Sequence, residues 1–157
     1  MKLTILSFSL LLALPALAGE GVDAAWKSLQ SLAGEWQSAS GKASITYTLV
    51  SNGTAVMESM KMPAEPDMVT MYHRDGTGLV ATHYCSMGNQ PRMRAPDADA
   101  STIRFRFADI TNLAKPDGGH IKDLTVTFQD HDHMTQEWTS VEAGKEQVEV
   151  FHWTRKK

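Results

Sequence analysis

From Trp36 to the C-terminus, apolar and polar residues alternate in short stretches that end at Gly, Asn or Asp. This alternation is typical of β-strands that show one face to a core and the other to water. An open sheet of many short strands would expose two long edges, so the pattern favours a closed antiparallel, all-β barrel of about nine to ten strands. The clearest strand starts are Trp36, Ile45, Val56, Val69, Leu79, Ile103, Leu124, Met134 and Val148.

A short helix is predicted before the first strand, over Gly21 to Leu32. Its apolar residues fall on one stripe. These residues are Val22, Trp26, Leu29 and Leu32. Asp23 suits the start of a helix, and Gly34 lies just beyond its end. We expect this helix to close one end of the barrel.

Residues 1–18 have the pattern of a signal peptide. Lys2 is the positive residue, Leu3 to Leu14 are mainly apolar, and Ala16-Leu17-Ala18 suits cleavage. The apolar run is too short to span a bilayer, and no Cys follows it to carry a lipid anchor. We therefore expect export to the periplasm or secretion, with residues 19–157 forming a single barrel domain.

Composition narrows the classes of partner. The formal net charge is -3, and the densest basic cluster is Arg155-Lys156-Lys157. Because no basic stripe is present, nucleic acid is not expected as a partner. Cys85 is the single cysteine, so no internal disulfide can form and stability must come from packing.

Two segments interrupt the alternation. Ser86–Ser101 contains Pro91 and Pro96 with few apolar residues, and we predict that it is the longest loop and a lid. Asn112–His120 is predicted to be a second loop beside it.

The opening of the first strand suggests a superfamily. Gly34-Glu35-Trp36, directly after a short helix, resembles the calycin superfamily of lipocalins and fatty-acid-binding proteins. In that superfamily a basic residue from the last strand packs over the Trp, and the resemblance implies this structural role for Arg155. The alternative is a core aromatic at Trp36 and a solvated Arg155.

A longer set of motifs resembles a family of exported bacterial, lipocalin-like proteins of unassigned function. It comprises Met68 to His73, Asp75-Gly76, Thr82 to Cys85, Gly88 to Met93, Asp109, Thr111 to Leu113, His120, Asp123-Leu124, Thr127-Phe128 and Gln136 to Trp138. This resemblance implies a ligand-enclosing barrel and no particular activity.

His83 and Cys85 are two residues apart and therefore share one face of a strand. Their neighbours depend on the register across the Asp75-Gly76 turn. One register brings Met68, Thr70 and Tyr72 to that face. A shift by one residue brings Val69, Met71 and His73 instead. We predict the second register, because it gives the more apolar face.

We therefore place His73, His83 and Cys85 in the barrel interior, with Met71, as ligand-binding residues. Three alternatives remain open at this point. The group could be satisfied interior polar residues. An imidazole and a thiolate could bind a soft metal or haem iron, or Cys85 could act as a nucleophile beside a His.

Methionines crowd the neighbouring hairpin, at Met57, Met60, Met62, Met68 and Met71. Thioether ligands suit Cu(I). Met60 and Met62 share a strand face that Met57 does not, so the five side chains cannot converge on one metal ion. We therefore favour core filling or a pliable cavity lining.

The lid segment supplies three further candidates for ligand contact: Asn89, Gln90 and Arg92. The Arg92 guanidinium matches a carboxylate or phosphate of a ligand at the barrel mouth. In the alternative, Asn89 and Gln90 anchor the loop and Arg92 forms an ion pair.

The sequence thus predicts an exported protein that binds a small, largely apolar molecule inside a barrel. We predict no cofactor and assign no catalytic residue. A haem or copper protein that uses His83 and Cys85, an enzyme that acts on the enclosed molecule, and a partner of another envelope protein are the alternatives.

Overall fold

The computed structural model describes residues 18–157, and within them ten antiparallel strands close into one barrel. One helix, α1 (Ala18–Ser31), precedes the barrel, and a single 3-10 turn lies at Ser51–Gly53. The strands are β1 (Gly34–Ser38), β2 (Ser44–Val50), β3 (Ala55–Lys61), β4 (Met68–Asp75), β5 (Gly78–Tyr84), β6 (Gln90–Ala95), β7 (Thr102–Thr111), β8 (His120–Phe128), β9 (His133–Glu142) and β10 (Lys145–Arg155).

The predicted all-β barrel with a short N-terminal helix is confirmed. Each strand pairs with the next along the chain, and β1 pairs with β10 to complete the ring, with Trp36 opposite Arg155. Closure leaves the ring without a free first or last strand, as expected for many short strands. The predicted signal peptide lies outside the described residues except for Ala18. In the described part of the chain, no helix has the length and apolar character needed to cross a membrane.

The predicted lid over Ser86–Ser101 is wrong, because this segment contains strand β6. The buried side chains of β6 are Pro91, Met93 and Ala95, and the exposed ones are Arg92 and Arg94. Pro91 lacks a backbone donor, but it is the second residue of β6 and lies next to a bulge in the pairing with β7, where proline is tolerated. The second predicted loop is confirmed, since β7 ends at Thr111 and β8 begins at His120.

Helix α1 closes one end of the barrel, as predicted. Its apolar stripe is buried in the same core as the strands. Its polar side chains bind the turns at that end: Ser28 donates to the carbonyl of Ala100, and Gln30 donates to that of Gly53. Asp23 forms an ion pair with Arg74. We call this the closed end and the opposite one the open end.

Arg155 lies over Trp36, as the resemblance implied. Its guanidinium carbon is 4.3 Å from the Trp36 ring centroid. Its nitrogens donate to the carbonyls of Ser31, Ala33 and His131. Gly34 has a φ of +128°, and a Cβ there would lie 3.2 Å from the Arg155 guanidinium. A glycine is therefore required at this point of close approach.

Candidate functional site

A cavity of about 490 Å³ lies at the open end of the barrel. Most of its wall is thioether, aromatic and aliphatic, with a few polar groups, which is the usual composition of a small-molecule site. The lining residues are Met60, Met62, Pro63, Glu65, Met68, His83, Cys85, Ser86, Met87, Ile121, Trp138, Glu149 and Phe151.

The predicted register between β4 and β5 is wrong. In the structure Thr70 lies opposite His83, and Asp75 lies opposite Gly78. This places Met68, Thr70 and Tyr72 on the inner face with His83. His73 is therefore exposed on the outer face, where its Nδ1 contacts the backbone oxygen of Arg74. Met71 also points away from the interior, so neither residue reaches the cavity.

His83 and Cys85 both line the cavity. His83 is 3% exposed, and its ring centroid is 4.9 Å from that of Trp138. Burial lowers the pKa of His83 to about 4, so the imidazole is neutral near pH 7. Nδ1 lies 2.9 Å from the Thr70 hydroxyl. Among the described residues Nε2 has no hydrogen-bond partner, and it is not among the fully enclosed atoms, so it is reachable from the cavity.

Beneath His83, a buried carboxylate joins the interior side chains. Tyr47, Glu58, Thr70 and His83 occupy directly opposite positions on β2 to β5. Glu58 Oε2 accepts from Tyr47 at 2.7 Å, Tyr72 at 2.8 Å and Gln136 at 2.7 Å. Glu58 is 0% exposed, and within residues 18–157 its Oε1 has no hydrogen-bond partner.

The electrostatics of Glu58 reflect opposing effects. Burial raises the pKa of Glu58, whereas hydrogen bonds from Tyr47, Tyr72 and Gln136 lower it. Burial and the Glu58 charge raise the pKa of both tyrosines well above their usual value. The tyrosines therefore stay protonated and act as donors.

Thr70 connects this carboxylate to the cavity wall, since it lies opposite both Glu58 and His83. Its hydroxyl also acts to lower the pKa of Glu58. The Thr70 hydroxyl and His83 Nδ1 share one hydrogen bond, in which the ring tautomer decides which atom donates. The contact occupies Nδ1 and leaves Nε2 as the ring nitrogen that is open to a ligand.

Metal-binding groups are also present. In the described part of the chain, no three His, Cys, Asp or Glu residues are placed to hold a metal ion. Thioethers are a different class of ligand, and four of them share the cavity with His83 and Cys85. They belong to Met60, Met62, Met68 and Met87. Met57 and Met71 lie on the outer faces of their strands.

The three candidates from the predicted lid are placed differently from one another. Asn89 is 3% exposed and donates to the carbonyl of Gly119, which ties the β5–β6 turn to the β7–β8 loop. Gln90 accepts from Thr111 at 3.0 Å. Arg92 lies on the outer face and pairs with Asp109. The expectation that Arg92 reaches the barrel mouth is therefore wrong, and the anchoring alternative describes these three side chains.

Sequence reasoning missed the Glu58 network. A signal was present, because Glu58 stands between Val56 and Met60 at an inward position of β3. Gln136 likewise stands between Met134 and Trp138 in β9. A polar residue at an inward position needs a partner, and such positions point to interior chemistry.

Comparison with protein-family models and with curated protein sequences yields no match. The closed ten-stranded barrel with one short helix is consistent with a lipocalin-like fold. Function must therefore be inferred from the cavity itself.

Proposed function

We propose that this protein is exported and binds a small, largely apolar molecule in the cavity at the open end of its barrel. The observation that carries the proposal is the cavity of about 490 Å³ with a mainly thioether and aromatic wall. Methionine side chains adapt to irregular apolar shapes. The closed end is filled by α1, so the open end is the route by which a ligand enters. The signal-like residues 1–18 support export.

Binding is expected to be blocked by a larger side chain on the cavity wall. Met68 lines the cavity, so Met68→Trp should fill it and weaken binding of the neutral fluorescent probe phenylnaphthylamine by about tenfold or more, equivalent to about 1.4 kcal/mol. Fluorescence titration of the purified protein measures the dissociation constant.

Met71→Trp is the matched control, because Met71 lies on the same strand with its side chain on the outer face. It should leave probe affinity unchanged. Equal affinity in both variants and the wild type would place the probe elsewhere, and no binding at all by the wild type would contradict the proposal.

A second candidate function is binding of a soft metal, for which the observation is the shared cavity of four thioethers, His83 and Cys85. The Thr70 contact leaves His83 Nε2 free to coordinate, and partners of this kind orient metal-binding imidazoles. Thioether, thiolate and imidazole ligands together suit Cu(I).

Cu(I) competition against a coloured chelator tests this function. If Cu(I) binds, His83→Ala and Cys85→Ser should each lower the affinity about tenfold or more, as loss of a ligand predicts. Met57→Leu, on an outer face, should not change it. Failure of the wild-type protein to withdraw Cu(I) from the chelator would exclude this candidate and leave binding of an apolar molecule untouched.

A further inference from the structure

We propose that the molecule bound in this cavity is an amphiphilic organic amine, with an ammonium group at the open end and an apolar body in the cavity. The inference rests on the proposed function and names its ligand class. Its basis is the juxtaposition of two acidic residues, two aromatic rings and a buried imidazole in the wall of one apolar cavity.

The two charged residues that line the cavity are both acidic. Glu65 and Glu149 belong to its lining, and neither has a salt-bridge partner among the described residues. None of the lining residues within residues 18–157 is Lys or Arg. A cleft lined by one sign of charge attracts ligands of the opposite sign.

His83 provides the second observation, because it is buried in the cavity wall and its Nε2 has no hydrogen-bond partner among the described residues. With the proton on Nδ1, Nε2 accepts a hydrogen bond from an ammonium or hydroxyl group. Because burial keeps the imidazole uncharged near pH 7, His83 adds no positive charge that would attract an anionic ligand, and it agrees in this with Glu65 and Glu149.

Aromatic side chains complete the fit. Trp138 and Phe151 both line the cavity, and aromatic faces attract ammonium groups. Lys115 and Lys145 line a neighbouring groove together with Glu142, and Lys61 pairs with Asp67. Within residues 18–157 none of these lysines lines the cavity that contains His83, which argues against an anionic ligand there.

Three ligands with one tail and three head groups test the inference: decylamine, decanol and decanoate. Near neutral pH they are cationic, neutral and anionic. Each is used to displace phenylnaphthylamine from the intact protein at concentrations below micelle formation. We expect decylamine to bind about tenfold more tightly than decanol, because Glu65 and Glu149 attract the ammonium group. Decanoate should bind most weakly.

The Glu65→Gln/Glu149→Gln double variant should reduce decylamine affinity to that of decanol without changing decanol affinity. Glu137→Gln, on the outer face of β9, should change neither, and added salt should reduce only the decylamine preference. Decanoate binding as tightly as decylamine, or an unchanged preference in the double variant, would overturn the amine inference while leaving the proposed function intact. Failure of all three ligands and of the probe to bind would overturn both.

Discussion

Replacing Glu58 by Ala should lower the free energy of unfolding by roughly 3–5 kcal/mol. Tyr47, Tyr72 and Gln136 all donate to the same Glu58 oxygen in the buried interior. The hydrogen bonds to Glu58 offset the free-energy cost of removing these three donors from water. Loss of the Glu58 carboxyl group therefore leaves three buried donors without their common partner. Urea denaturation followed by tryptophan fluorescence measures the change.

Two controls define the cause of that loss. Glu58→Gln keeps the shape and one acceptor oxygen, and it should cost less than Glu58→Ala. Glu137→Ala removes an exposed carboxylate from an outer face and should change stability by less than about 0.5 kcal/mol. If Glu58→Ala proves as stable as the wild type, the network does not contribute to folding as described.

Replacing Arg155 by Ala should lower the free energy of unfolding by roughly 2–4 kcal/mol. The change removes the cation over the Trp36 ring and three hydrogen bonds to carbonyls. Two of these carbonyls, of Ser31 and Ala33, lie where α1 leads into β1. Arg155 therefore joins the last strand to the helix end, and its loss weakens closure of the barrel. Thermal and urea denaturation provide the measurement.

Arg155→Lys distinguishes charge from shape. A lysine keeps the cation but lacks the planar fork that reaches several carbonyls, so it should recover only part of the loss. Arg104→Ala, at an exposed position of β7, controls for loss of positive charge. An Arg155→Ala protein that unfolds at the same urea concentration as the wild type would show that the contact with Trp36 contributes nothing.

The barrel itself could be predicted because alternation is a local property of each strand. An inward residue every second position follows from the geometry of extended backbone, and closure follows from the number of short strands. The helix could also be predicted, because its apolar residues fall on one face. Strand β6 was hidden by its proline, because the pairing of β6 with β5 and β7 is decided only in the folded barrel.

The candidate site depended on tertiary structure for a different reason. The apolar content of each face of β4 favoured the register with Met71 and His73 inside, whereas the structure buries Thr70 and Tyr72. Those polar residues are stable inside because Glu58 and His83, on other strands, satisfy them. A register chosen by counting the apolar residues on each face of β4 takes no account of hydrogen-bond partners on other strands.

The sequence by itself determined the helix, most of the strands, and the presence of His83 and Cys85 on a cavity wall. Only the tertiary structure decided the register that excludes His73 and Met71 and the convergence of donors on Glu58. The physical reason is that a strand's periodicity is set by its own backbone, whereas a register shift by one residue reverses the faces and is settled by contacts between distant strands.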